Sequence, residues 1–362
     1  MRRFVVAAAL AVFTLPATAA DFKSDWAKLV TEAEKEGEVV LHSQPNQAFR
    51  NFIAQEFAKA YPKIKLSIDA TPEMQFWARI RTERQADKFL WDMSVGGAST
   101  GYTLSKEGIV EPLLPELIDP DVNKPELWGG WDDAFMDVDK KYVLSVTAYV
   151  ASPFYNAQMI APERVAKEGF KLLAAPDMKG KVYWQDPTVP GGGRNYIELF
   201  RKTFGEDGFK RFVTDQATFV AQQHQVVEAM ARSVAAVGIG PPVRSLMAPY
   251  NQAGIKIDLR TFGTDPAVAV LSAGGSTVYV YTRRPHPAAT RVFVNWFLGR
   301  DVQYALAKVL QQRSRRQDVP ETAEPDEIPQ KGVKYFAPQR EENIDRQEDN
   351  MKLVGELRKT AK

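Results

Sequence analysis

The strongest constraint on the fold of this chain is a repeated switch between helical and strand-like hydrophobic runs. Trp26, Leu29, Val30 and Ala33 fall at i, i+3, i+4 and i+7, the spacing of one helix face, and Gly37 stops the run. Val39-Val40-Leu41 follows as a short buried strand. Phe49, Phe52, Ile53 and Phe57 mark a second helix that Pro62 closes. A strand at 65–68, a helix at 73–86 and a strand at 92–95 come next. Strands separated by helices predict a parallel sheet with helices on both faces, because parallel neighbours need a long crossover between them.

The alternation breaks and then resumes. Residues 111–133 are rich in Pro, Asp and Gly without a clear period and read as a long surface connection. Tyr142 to Tyr149 reads as a strand leaving the first unit. From Val182 the pattern predicts a strand at 182–185, helices at 193–204, 207–213 and 224–232, and a strand at 234–239. Strands at 267–271 and 277–281 lead to helices at 287–298 and 301–312. The tail after Val319 is polar and ends in a charged helical stretch at 339–360. A chain of 362 residues is too long for one comfortable core and suits two α/β units.

Composition removes several function classes. The formal net charge of +2 is too small for a nucleic-acid footprint. With no cysteine there is no disulfide, no thiolate chemistry and no lipid-attachment site. Met1-Arg2-Arg3, the apolar run Phe4 to Leu15, and Ala17-Thr18-Ala19 have the order of a cleaved secretory signal, residues 1–20. The mature protein is therefore expected in the periplasm. There is no Gly-x-Ser-x-Gly elbow, the only histidines are His42, His224 and His286, and no His/acid cluster has metal-ligand spacing. A binding protein without cofactor or metal fits better than an enzyme such as a hydrolase.

Four segments in order carry a resemblance. They are Tyr155-Asn156 with Pro162; Pro176-Asp177-Met178-Lys179-Gly180-Lys181-Val182 before Asp186-Pro187; Pro285-His286-Pro287 before Phe293-Val294-Asn295-Trp296-Phe297; and Arg316-Gln317-Asp318-Val319-Pro320. In these the chain resembles the extracellular solute-binding proteins of ABC importers, in the branch of ferric-iron and thiamine binders. The resemblance implies a two-lobed, type II periplasmic-binding-protein fold, each lobe a doubly wound sheet, with two strands crossing between them. The expected division is 21–147 with 270–362 in the first lobe and 148–269 in the second, with crossings near 145–150 and 267–273. It also implies hinge closure on a small molecule, an inner-membrane ABC permease as partner, and a monomer.

Ligands in such sheets bind outside the carboxyl ends of strands. Gly192, Gly193, Arg194 and Asn195 lie in a glycine run before the expected helix 193–204, where backbone N–H groups attract anions; a plain surface turn is the other role. Ser43 and Gln44 after the first strand, and Gly97, Ser99 and Thr100 after a later one, fit ligand contact or helix capping. Tyr149 lies on the hinge strand. Gln223 and His224 open a helix of the second unit. Arg244 follows Gly240-Pro241-Pro242 and fits either a forked bond to an anion or a surface ion pair. His286 reads as structural. Against the ferric-iron pattern, Gly240-Pro241-Pro242-Val243 stands for the tyrosine pair, Pro45 for a ligand histidine and Gly97 for a ligand glutamate. Hard Fe(III) needs anionic oxygen donors, which these residues lack. The expected ligand is a small organic anion, a carboxylate or phosphate ester; ferric iron held by other ligands is the alternative.

Overall fold

A computed structural model describes residues 19–43, 46–189 and 191–360. The secretory signal read from residues 1–20 falls almost wholly outside them. The first helix is longer than its hydrophobic face predicts, running over Ala19–Glu36 as α1. The first lobe continues with β1 (Glu38–Ser43), α2 (Gln47–Ala60), β2 (Lys65–Asp69), α3 (Glu73–Gln85), β3 (Met93–Gly96), α4 (Ala98–Lys106), β4 (Val110–Glu111), α5 (Trp131–Ala134) and β5 (Leu144–Ser145). After β6 (Tyr149–Ala151), the second lobe is built from β7 (Phe154–Asn156), α6 (Pro162–Glu168), β8 (Val182–Gln185), α7 (Ile197–Arg211), β9 (Ala217–Val220), α8 (Gln223–Ala231), β10 (Val237–Ile239), α9 (Val243–Gln252) and β11 (Leu259–Thr261). The chain returns through β12 (Val270–Ser272) to β13 (Thr277–Tyr281), α10 (Pro287–Leu298) and α11 (Arg300–Leu310), and ends in α12 (Ile344–Thr360).

The first sheet has the order β2-β1-β3-β13-β4, with β5 also on β13. Its strands β1, β2 and β3 are parallel, whereas β13 runs antiparallel to β3, because it re-enters from the other lobe without a crossover helix. The second sheet has the order β11-β7-β10-β8-β9, parallel among β8, β9 and β10. Between them β6 and β12 pair as a separate antiparallel ribbon, with Tyr149 opposite Ser272. The single strand expected over 142–149 is thus two short ones, one in the first sheet and one in the ribbon.

Each lobe has its own aromatic core. Phe49, Phe57, Phe293 and Phe297 pack against β1 and β3 in the first. Trp184, Phe200, Phe209 and Phe212 fill the second. Burying a side chain of this size contributes about 1.5–3 kcal/mol each before entropy is counted. Buried polar struts fix the first lobe's edge. The Asp92 carboxylate accepts the Val40 N–H at 2.7 Å, the His286 N–H at 2.8 Å and His286 Nδ1 at 2.8 Å. His286 is therefore a fastening between β1, β3 and α10, as its turn suggests.

The tail departs from its expected place with the first lobe. Residues before α12 do hold to that lobe: Tyr102 Oη donates to the Gln339 carbonyl at 2.6 Å, and Lys106 pairs with Glu341 at 2.9 Å. α12 itself lies on the second lobe, with Val354 fully buried and Met351, Leu353 and Leu357 packed on the core around Trp184. Arg201 donates to Asn350 at 2.7 Å, and Arg358 pairs with Asp186. Those apolar residues are spread among so many charges that the sequence shows no clear face, so its docking partner was not legible.

Candidate functional site

Loops after the parallel strands of each sheet carry the candidate residues, and Glu73 of the first lobe acts electrostatically on Arg194 of the second. On the first lobe, β1 ends at Ser43, which is fully buried. Gln44 and the following proline lie outside the described residues. Within β1, His42 stacks on Phe76 with centroids 3.7 Å apart. Its Nε2 faces the Thr71 carbonyl at 2.9 Å and must donate there, while burial pushes its pKa down. His42 is thus a neutral core residue.

At the end of β3, the Gly97 N–H donates to Glu73 Oε1 at 2.7 Å. A Cβ on Gly97 would stand 2.2 Å from that oxygen. The carboxylate of Glu73, the first residue of α3, occupies the space a side chain at 97 would need. Ser99 is half-buried and its carbonyl caps the Thr103 hydroxyl at 3.0 Å. Thr100 is fully buried beside Tyr279, inside the lobe. That corrects its assignment as a contact residue: one residue's shift along α4 turns the side chain from the turn to the core.

On the second lobe the glycine run is a close-packed turn. A Cβ on Gly192 would lie 1.9 Å from the Gly240 carbonyl oxygen, and one on Gly193 would lie 2.0 Å from that of Gln185. Trp184 Nε1 donates to the Gly193 carbonyl at 2.8 Å, and the Gly193 N–H goes to Gln185 Oε1 at 3.2 Å. The expected helix start at 193 is corrected: residues Gly192–Tyr196 form a 3-10 turn, and α7 begins at Ile197. The Gly193 donor is already used, so the glycines serve first to let three backbone segments touch.

Arg194 emerges from this turn half-buried. Its only hydrogen-bond contact among the described residues is Met351 Sδ at 3.9 Å. Burial works against its charge, and the carboxylates that favour that charge are Glu73, from the other lobe, and Glu348, from α12. Neither forms an ion pair with it within the described residues. Asn195 is buried behind it, next to Tyr196, whose phenol burial pushes up. Tyr149 is close enough to Tyr196 to raise it further, and its own phenol, beside Ser272, is also raised by burial. Gln223 is half-buried and His224 exposed at the start of α8.

Arg244 is corrected most sharply. Its Nη2 contacts both Asp326 oxygens, at 2.7 and 2.6 Å, its Nε donates to Glu327 at 3.2 Å, and its guanidinium lies 5.1 Å from the Phe154 ring centre. The tail supplies these acids, so the arginine's charge is already matched. Burial among Asp326 and Glu324 pushes Glu327 up to about 7 despite Arg244. Glu73, Tyr196 and Glu348 are not among the contact residues expected from sequence. Glu73 alone left a signal, since it opens a helix directly after a parallel strand. The structure therefore brings Gly97, Glu73, the 192–196 turn, Arg194 and α12 together, and removes Thr100 and Arg244.

The sequence profile of bacterial extracellular solute-binding proteins matches residues 53–333. No curated protein sequence matches at a significant level. Among solved structures, iron-bound HitA from Pseudomonas aeruginosa is 15% identical, with a TM-score of 0.61 over 90% of this chain and 99% of that one. The periplasmic binding protein AfuA from Actinobacillus pleuropneumoniae, with fructose-6-phosphate bound, is 18% identical, with a TM-score of 0.59 over 88% and 99%. The substrate-binding protein of an ABC transporter from Agrobacterium tumefaciens is 15% identical, with a TM-score of 0.65 over 89% and 94%. At these identities the likeness is one of fold.

Proposed function

The chain belongs to the bacterial extracellular solute-binding family, and from that premise we propose that it is the periplasmic receptor of an ABC importer for a small organic anion. The observation that carries this reading is Arg194, a half-buried guanidinium without a carboxylate partner among the described residues, in the loop after β8. A carboxylate or phosphate ester would give it two parallel charge-assisted bonds. Glu73, opposite, accepts hydrogen bonds, so the same solute should also carry hydroxyl or amino donors. The fructose-6-phosphate held by AfuA has both kinds of group. The ribbon of β6 and β12 provides the hinge, and closure would follow from contacts made only when the lobes meet. The receptor acts as a monomer, retains its solute stoichiometrically and passes it to a permease without chemistry.

HitA makes iron the reading to test against. Among the described residues no three His, Asp or Glu side chains converge as a metal site. Titration with Fe(III) alone should leave the visible spectrum flat, whereas pooled carboxylates and phosphate esters should quench tryptophan fluorescence to a saturating one-to-one endpoint. A tyrosinate-to-iron charge-transfer band would overturn the organic-anion reading.

A further inference from the structure

A second basic centre lies at the hinge. After α11 the chain runs beside the segment that leaves the first sheet: Thr147 bridges Ser314, the Arg315 N–H donates to the Val146 carbonyl at 2.9 Å, and the Ala148 N–H donates to that of Arg313 at 3.2 Å. This places the Arg315 side chain inside the junction, 8% exposed. Its Nε is sealed and without a partner, and no ion pair or side-chain hydrogen bond holds its guanidinium among the described residues. It lines a small, partly open pocket with Ser145, Thr147, Ser272, Ala273 and Arg340.

The charges around the cavity do not balance. Arg313 has Glu321 at 2.8 Å, and Arg340 has Glu342 at 3.6 Å besides the carbonyls of Asp132, Asp133 and Phe135. Arg315 has only the more distant pull of Asp133, while Arg340 and Arg313 repel it. The nearby hydroxyls are already committed as donors, Ser145 to the Thr147 carbonyl and Thr147 to the Ala273 carbonyl, both at 2.6 Å. One largely buried positive charge thus has no carboxylate partner among the described residues, and a charge held partly away from water without a partner is unfavourable. We propose that the Arg315 cavity holds a monatomic anion, chloride in physiological media, as a structural ion at the hinge. The cavity wall includes residues from the outgoing chain, the returning chain and the tail, so the bound anion ties all three passages between the lobes and stabilises the junction.

The test uses the whole protein with chloride and bromide as probes. At constant ionic strength, replacing gluconate by chloride should raise the unfolding midpoint saturably by about 2–4 °C. Arg315→Met should abolish that rise, and Arg315→Lys should retain part of it. Crystals grown in bromide should give an anomalous peak within hydrogen-bond reach of the Arg315 guanidinium. This last measurement needs no variant and stands even if Arg315→Met fails to fold. A water without anomalous signal at that position, or a chloride effect unchanged in Arg315→Met, would overturn the proposal.

Discussion

Replacing Arg194 with alanine should weaken solute binding by roughly tenfold to a hundredfold, since a charge-assisted bond contributes about 1.5–3 kcal/mol net. The fold should survive, because no ion pair of the described residues is lost with the guanidinium. Arg194→Lys should recover only part of the affinity, as an ammonium cannot reproduce a planar fork. Arg244→Ala serves as the contrast. It strands Asp326 and Glu327 and should loosen the tail, lowering the unfolding midpoint while changing affinity little. Calorimetry with the cognate solute, alongside thermal unfolding, separates the two outcomes. Equal affinity in wild type and Arg194→Ala would move Arg194 from the cleft to the surface and favour a neutral solute such as a sugar.

A single methyl group at Gly192 should do as much damage by a different route. Its Cβ would stand 1.9 Å from the Gly240 carbonyl oxygen, and neither backbone can swing aside as a side chain would. The 192–196 turn must then lift from β10, carrying Arg194 with it. Overpacking of this kind costs about 1–3 kcal/mol, so Gly192→Ala should lower stability measurably and reduce affinity at least tenfold. Gly355→Ala is the matched control. It lies in α12, where a Cβ meets only the Thr188 methyl at 3.8 Å, and helix propensity favours alanine there. Wild-type affinity and midpoint in Gly192→Ala would mean that the turn is a loose surface loop.

The fold was legible from sequence where period and burial agree. The strands at 182–185 and 277–281 and the helix at 287–298 match their hydrophobic runs residue for residue. Boundaries failed where backbone geometry overrides side-chain period, as at 192–196, where contact with Gln185 and Gly240 imposes a 3-10 turn. For the candidate site, the rule that loops at strand ends bind ligands singles out Gly97 and Arg194, and the structure places both near Glu73. Arg244 was misread because its acidic partners lie 82 and 83 residues further along the chain, and no local pattern announces a tail that returns. Thr100 was misread because a turn and the helix after it share polar residues whose directions only packing decides.

Native mass spectrometry of the protein isolated from its own host tests the central claim most directly. The result expected is one small organic molecule per chain, with an acidic group, whose retention is lost in Arg194→Ala. A chain carrying a bare ferric ion, or one retaining a neutral sugar equally well with and without Arg194, would contradict it.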